Sequence, residues 1–132
     1  MFDHLRVLDL GCNIGTFSLW IYPRADVIYA VDAEQRNIDL FNETIKENRM
    51  DKIKTYVERV SDLGQFMSGN VIKDIDVLKI DIEGDEYDVL SRDFPHIPTI
   101  IGEYHKDLPE TQLLRLGYRV IDLPNKHFIA RK

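Results

Sequence analysis

The sequence has 132 residues, of which 44% are hydrophobic and 30% are charged. This length and balance are typical of one ordinary globular domain with a single core. Seventeen Lys and Arg against 23 Asp and Glu give a formal net charge of −6, which argues against a general nucleic-acid-binding protein, because such proteins need a basic surface.

The cysteine content and the apolar runs limit where the protein can act. The single cysteine, Cys12, excludes an internal disulfide and a zinc site built from cysteines, and it favours a reducing compartment. No apolar run approaches the roughly 20 residues of a membrane span, and residues 1–6 lack the charged and apolar regions of a signal peptide. We therefore predict a cytoplasmic protein without a membrane span.

The first half of the chain alternates short apolar runs with amphipathic stretches. It predicts strands over residues 5–10, 27–31 and 54–60 and helices over residues 16–21, 34–48 and 62–69. The helix over 34–48 has the clearest pattern, because Ile38, Phe41 and Ile45 share one face. We expect Phe17 and Trp20 on the first helix to belong to the core.

The second half continues the alternation and closes with a hairpin. It predicts strands over residues 76–82 and 99–105, helices over 84–91 and 109–116, and paired strands over 117–123 and 127–131. The acidic opening of the helix over 84–91, with Asp85, Glu86 and Asp88, suits the positive end of a helix dipole. Alternating strands and helices predict an α/β fold with a mostly parallel sheet. Ligands of such folds bind at the carboxyl ends of the strands.

A glycine-containing turn follows the first strand, with the sequence DLGCNIGT over residues 9–16. Gly11 and Gly15 permit backbone conformations and close ligand approach that a side chain would block, and Asn13 tolerates a left-handed conformation. The spacing differs from the G-x-G-x-x-G of dinucleotide-binding proteins. The turn is therefore either a cofactor-binding loop or a plain connection from strand to helix.

Asp32 ends the second predicted strand, 21 residues after Gly11. A carboxylate at this position can accept both ribose hydroxyls of an adenosine. Alternatively, Asp32 and Gln35 form a capping box for the following helix. The glycine turn favours ribose binding.

The chain resembles the FkbM family of class I S-adenosylmethionine-dependent methyltransferases. The resemblance rests on VLDLGCNIGTFSL (residues 7–19), AVD (30–32), VSD (60–62), DVLKIDIEG (76–84), Glu103 and LGY (116–118), and the segment KIDIEG before a helix is its most specific part. It implies a Rossmann-like, mostly parallel seven-stranded sheet with helices on both faces and an antiparallel last strand. It also implies one S-adenosylmethionine-binding domain over residues 1–132, without the N-terminal segment that helps to cover the active site in relatives.

The resemblance also implies roles for individual residues. Asp9, Gly11, Asn13 and Gly15 would surround the methionine part of S-adenosyl-L-methionine, Asp32 would bind the ribose, Asp62 would lie near the adenine amine, and Asp81 near the methionine amino group. Cys12, Ala33 and Ser61 lie in the same motifs and are predicted to line the cofactor. Ala33 departs from the family, which often has Glu-Pro where this chain has Asp32 and Ala33. The family methylates hydroxyl groups of small, sugar or lipid-linked compounds, so we predict an acceptor of this kind.

Four polar side chains are predicted to meet beside the transferred methyl group. Glu103 and His105 are two residues apart at the end of a strand and share a face, and Asp81 and Glu83 would do the same if their strand extends that far. We expect Glu83, Glu103 and His105 to be the catalytic residues, with His105 or Glu83 taking the proton of the acceptor hydroxyl. Glu83 could instead serve a helix N-terminus, and His105 could face solvent. We expect His4, His96 and His127 at the surface.

Three further alternatives follow from the sequence. Carboxylates with an imidazole would also suit magnesium or manganese, although we predict no metal. The domain could bind the cofactor without catalysis, with the acceptor site completed by a second copy or a partner subunit. A nicotinamide-dependent oxidoreductase is less consistent with the glycine spacing.

Overall fold

Strands and helices alternate along residues 3–132, the part of the chain that the computed structural model describes. Met1 and Phe2, where the predicted domain begins, lie outside the described residues. The strands are β1 (Leu5–Leu10), β2 (Ala25–Asp32), β3 (Ile53–Val57), β4 (Val77–Ile80), β5 (Thr99–Glu103), β6 (Arg119–Leu123) and β7 (His127–Arg131). The α-helices are α1 (Thr16–Ile21), α2 (Gln35–Glu47), α3 (Leu63–Gly69), α4 (Glu86–Ser91) and α5 (Glu110–Arg115). No helix among the described residues has the length and apolar character needed to cross a membrane.

The strands form one sheet in the order β3-β2-β1-β4-β5-β7-β6. Strands β1 to β5 pair in parallel, whereas β7 runs antiparallel to both β5 and β6. This confirms the predicted mostly parallel, seven-stranded sheet with an antiparallel last strand. The order reverses between β1 and β4, so the turns after these two strands lie side by side at one edge of the sheet.

Helices cover the sheet on two faces because neighbouring residues of a strand point to opposite sides. Leu8 on one face belongs to a core that also contains residues of α3, α4 and α5. Val7 on the other face packs with α1 and α2, where Phe41 is completely buried. The helices therefore pack on the sheet through their apolar faces, and polar turns follow the ends of the strands.

Several boundaries differ from those expected. Strand β3 ends at Val57 and not at Val60, and β4 ends at Ile80 and not at residue 82. No strand can extend past residue 82, because Glu83 and Gly84 are both left-handed, with φ of +56° and +104°. The prediction for Trp20 was wrong: this side chain is 71% exposed, whereas Phe17 packs against the core beside α1.

Candidate functional site

The glycine turn, residues 11–15, packs directly against the residues that follow β4. The amides of Gly11 and Cys12 both donate to the carbonyl oxygen of Val31, at 2.8 and 2.9 Å, and Gly11 has a φ of +83°. A Cβ atom on Gly11 would lie only 1.8 Å from the carbonyl oxygen of Asp81. Only glycine allows the two backbones to approach this closely in this conformation.

Asp32 ties the glycine turn to the end of β2. Its Oδ2 accepts the amide of Asn13 at 2.9 Å, and its Oδ1 accepts the amide of Glu34 at 2.9 Å and the side-chain amide of Asn37 at 3.3 Å. The alternative of a capping box with Gln35 was wrong, because α2 starts after Glu34 and the Gln35 side chain donates to Asp39. A carboxylate has about four acceptor positions, so Asp32 keeps capacity for a further donor.

A cavity of about 360 Å³ opens at the ends of β1, β2, β3 and β4, and we call it the strand-end cavity. Half of the residues predicted to bind the cofactor line it: Gly11, Asn13, Asp32, Ala33 and Asp81. Glu83 lines it as well, together with Val60 and the pair formed by Arg59 and Asp85. The Arg59 guanidinium meets the Asp85 carboxylate through two hydrogen bonds of 2.9 and 3.1 Å, and this contact lowers the pKa of Asp85.

The other predicted cofactor residues do not line this cavity. Asp62 begins α3, where its Oδ1 accepts the amide of Gln65 at 3.0 Å. Ser61 and Asp62 line a neighbouring cavity of about 500 Å³, which shares Glu58 and Arg59 with the strand-end cavity. A ligand that contacts both Asp32 and Asp62 must therefore extend past Arg59.

Asp9, Cys12 and Gly15 do not line the strand-end cavity: Cys12 and Gly15 belong to the glycine turn itself, and Asp9 is buried at the end of β1. Asp9 is fully buried; its Oδ2 accepts the Ser18 hydroxyl at 2.6 Å, and its Oδ1 lies 3.1 Å from Lys79 Nζ. Lys79 Nζ also donates to the carbonyl oxygen of Gly11 at 2.8 Å. Burial, with the Asp9 carboxylate nearby, raises the pKa of the Cys12 thiol well above its usual range, so Cys12 is an inert neutral thiol.

A group of acidic side chains surrounds His105 at the ends of β4 and β5. Its Nε2 lies 3.7 Å from Asp81 Oδ1, 3.7 Å from Glu83 Oε2 and 3.9 Å from Glu103 Oε1. The structure thus brings together the four side chains expected to meet, although Asp81 and Glu83 reach this place from a loop and not from a strand. Together with Glu86, described next, these residues form what we call the His105 cluster.

Glu86 is the member of the cluster that the sequence analysis missed. Only 1% of this residue is exposed, and Oε1 lies 3.1 Å from His105 Nδ1. The hydrogen bond to Glu86 raises the pKa of His105, and the charges of Glu86, Glu83 and Asp81 act in the same direction. Burial raises the pKa of the Asp81 carboxyl, and its Oδ1 is a buried oxygen without a hydrogen-bond partner among the described residues.

Other contacts of the site also had no clear signal in the sequence. Lys79 belongs to the KIDIEG segment, but no pattern in the sequence indicates its contact with Asp9, and Arg59 lies in a charged stretch. His127 was expected at the surface; it is exposed, but its Nε2 lies 3.7 Å from Glu103. The acidic residues around Glu86 indicate only the start of a helix.

The His105 cluster contains ligand types that a divalent cation prefers. One atom each of Asp81, Glu86 and His105 lies within 4.8 Å of the others. Both oxygens of Glu86, however, already accept backbone amides: Oε2 accepts Ile82 at 2.6 Å and Oε1 accepts His105 at 3.2 Å. Glu86 is therefore not available as a metal ligand in this arrangement.

The sequence matches a protein-family model over most of its length. A sequence model described as Methyltransferase FkbM domain matches residues 4–127, which is most of the chain. Comparison with curated protein sequences gives no match.

Solved structures of several methyltransferases have the same fold. The chain is similar to the methyltransferase FkbM from Methylobacillus flagellatus KT, with 17% identity and a TM-score of 0.72 over all of this chain and 44% of that one. It is similar to M. capricolum TrmK in complex with S-adenosyl-homocysteine, with 15% identity and a TM-score of 0.72 over all of this chain and 64% of that one. Precorrin-6y C5,15-methyltransferase from Geobacter metallireducens GS-15 gives 14% identity and a TM-score of 0.74 over all of this chain and 83% of that one. The chain therefore spans less than two thirds of TrmK and less than half of the FkbM structure.

Proposed function

The chain belongs to the FkbM methyltransferase family, and on this premise we propose that it transfers a methyl group from S-adenosyl-L-methionine to a hydroxyl group. One observation carries the proposal. The strand-end cavity and the His105 cluster share Asp81 and Glu83, so a cofactor in the cavity would adjoin a group able to accept a proton. The structure of TrmK with S-adenosyl-homocysteine supports a cofactor of this class for the shared fold.

The residues of the cavity suit the polar parts of the cofactor. Among residues 3–132, Asp81 Oδ1 is buried without a hydrogen-bond partner, which costs free energy unless a ligand supplies a donor. The ammonium of a methionine group is such a donor. Asp32 already accepts three hydrogen bonds and retains about one acceptor position, which a ribose hydroxyl could use. The carboxylates also favour the positive charges of this cofactor. Asp32 would thus hold the ribose and Asp81 the methionine amino group.

When bound, S-adenosyl-L-methionine supplies a methyl group on a positively charged sulfur. The chain must hold the acceptor oxygen in line with that methyl group, since correct positioning can lower the barrier by several kcal/mol, about 7–11 in the best cases. Glu83 and Glu103 would accept hydrogen bonds from the acceptor and orient it. His105 Nε2, which faces both carboxylates, would remove the hydroxyl proton. Following the family resemblance, we propose a small-molecule, sugar or lipid-linked acceptor.

Calorimetric titration with S-adenosylhomocysteine and with NAD tests the cofactor assignment. We expect binding of S-adenosylhomocysteine and not of NAD. Asp32→Ala should weaken it about 10- to 100-fold, because a hydrogen bond to a charged group contributes about 1.5–3 kcal/mol. Asp39→Ala is the matched control, since it removes an exposed carboxylate of α2. Binding of NAD alone would favour the oxidoreductase alternative and contradict the proposal.

A turnover screen on hydroxyl compounds then tests catalysis. Glu83→Gln should retain S-adenosylhomocysteine binding and lower turnover; unchanged turnover would remove Glu83 from the reaction. A cofactor-binding module completed by a second copy or a partner subunit is the second candidate, favoured by the 81% exposure of the Glu83 side chain, which leaves the acceptor side of the site open. Tight cofactor binding without turnover on any hydroxyl compound would support that candidate.

A further inference from the structure

Glu86 makes more contacts than a carboxylate at the start of a helix requires. We propose that Glu86 is a positioning residue that fixes the tautomer and the orientation of His105, so that the unprotonated Nε2 of the neutral ring faces Glu83 and Glu103. The purpose of this arrangement, which is removal of the proton of the acceptor hydroxyl, rests on the proposed function. The geometry itself rests only on the contacts of Glu86.

The contacts of Glu86 determine the direction of its hydrogen bond to His105. Oε2 accepts the amides of Ile82 at 2.6 Å and Gly84 at 3.3 Å, and Oε1 accepts the amides of Gly84 and His105, both at 3.2 Å. With backbone donors on both oxygens, the carboxylate acts only as an acceptor. The contact of 3.1 Å between Oε1 and His105 Nδ1 therefore needs a proton on Nδ1. A neutral His105 then carries its lone pair on Nε2, the nitrogen that faces the other carboxylates.

The same carboxylate also fixes the loop that carries Glu83. Ile82 and Gly84 flank Glu83 in sequence, and their amides converge on Glu86. This holds the left-handed conformation of Glu83, with a φ of +56°, which is unfavourable for a residue with a side chain. Because Glu86 binds the His105 amide as well, one buried group holds the backbone on both sides of the cluster, where Glu83 Oε2 lies 3.7 Å from His105 Nε2.

A role limited to the helix dipole does not explain these contacts. Acidic residues that serve only a helix N-terminus gain about 0.3–1 kcal/mol and remain at the surface. Glu86 is 1% exposed, and its hydrogen bonds go to the loop before α4 and to the end of β5. Asp88, in the same first turn, is exposed and provides a natural comparison.

The tautomer of His105 can be measured in the wild-type protein without any turnover. Two-dimensional NMR that correlates the ring protons of His105 with its ring nitrogens, recorded at a pH where the ring is neutral and carries one N–H proton, identifies the nitrogen that holds this proton. We expect the proton on Nδ1, whereas a proton on Nε2 would overturn the proposal. Assignment of the signal uses His105→Asn, which removes it.

Glu86→Gln tests the consequence for the reaction, with Asp88→Asn as the matched control. A glutamine has one acceptor oxygen, so it cannot accept from both the loop amides and His105. In Glu86→Gln we expect the preference for Nδ1–H to be lost and kcat to fall about 100-fold, as for a displaced general base. The KM for S-adenosylmethionine should change less than twofold, and Asp88→Asn should retain the wild-type tautomer and kcat.

Two outcomes separate this inference from the proposed function. If Glu86→Gln binds S-adenosylhomocysteine like the wild type and retains its kcat, the positioning role is wrong. If the wild type shows Nδ1–H but binds no S-adenosylhomocysteine, the proposed function fails and the assigned tautomer stands. If Glu86→Gln does not fold, the wild-type tautomer alone decides.

Discussion

Replacing Gly11 with alanine should destabilise the protein far more than the same change at Gly117. Both glycines have a left-handed backbone, with φ of +83° and +92°, so alanine costs about 1–2 kcal/mol of conformational energy at either position. Part of this is offset because alanine restricts the unfolded chain by about 0.4–1 kcal/mol. The two sites differ in the space around the new Cβ: apart from the chain neighbours, no other atom of the described residues lies within 4 Å at Gly117, whereas the carbonyl oxygen of Asp81 lies 1.8 Å away at Gly11.

The size of the difference follows from the close approach. Cβ atoms essentially never lie closer than 3.0 Å to another heavy atom, so the glycine turn and the residues after β4 would have to separate by more than 1 Å. Overpacking of this kind typically costs about 1–3 kcal/mol, and sometimes more. We expect a net loss of about 1 kcal/mol in Gly117→Ala and about 2–4 kcal/mol in Gly11→Ala. For a domain of this length, each kcal/mol lowers the Tm by about 4 °C.

Thermal unfolding followed by circular dichroism, without cofactor, measures both variants. The Tm should fall by about 4 °C in Gly117→Ala and by about 8–16 °C in Gly11→Ala. Calorimetry with S-adenosylhomocysteine provides a second readout, because Gly11 lines the strand-end cavity and Gly117 does not. Equal losses of Tm in the two variants would refute the reasoning, since conformational strain alone would then account for both.

Three further predictions concern protonation, metal removal and the thiol. Because the pKa of His105 is raised above its usual value near 6.5, the ionised ring stabilises the fold fully below about pH 6.5, and this contribution is lost as the pH rises through the folded pKa. The Tm difference between wild type and His105→Asn should therefore be largest at mildly acidic pH and shrink at alkaline pH. A difference that grows with pH would contradict the stabilisation of the ionised His105 ring by the surrounding carboxylates. Turnover should survive dialysis against EDTA, because Glu86 is already occupied by amides; loss of activity that magnesium restores would show that the cluster uses a metal. Cys12 should resist iodoacetamide at pH 8 in the native protein and react after denaturation, and rapid labelling of the native protein would contradict its burial.

The fold could be predicted because its signals are local. The apolar run of β1, the glycine turn and the amphipathic face with Ile38 and Phe41 each indicate an element on their own. Their order then fixes a mostly parallel sheet, since alternating strands and helices allow few other arrangements. Trp20 was misplaced because a six-residue helix shows too little of the helical period to separate a buried face from an exposed one.

The site was less predictable because its geometry depends on a loop. Asp81, Glu83, Glu103 and His105 were expected together because the ends of β4 and β5 are neighbours. The prediction that Asp81 and Glu83 share a face rested on strand alternation, which does not apply after Ile80. The contacts of Glu86 require the left-handed turn at Glu83, and no periodic pattern in the sequence marks that turn.

The buried contact between Asp9 and Lys79 limits how this site can change by substitution. Asp9 is fully buried and lies 3.1 Å from Lys79 Nζ, so loss of either residue leaves an uncompensated charge inside the protein, at a cost of about 3–5 kcal/mol. Replacing both with apolar residues of similar volume is usually far less damaging. Redesign of this buried ion pair should therefore replace Asp9 and Lys79 together. It should also supply a new donor for the Gly11 carbonyl oxygen, which now accepts a hydrogen bond from Lys79.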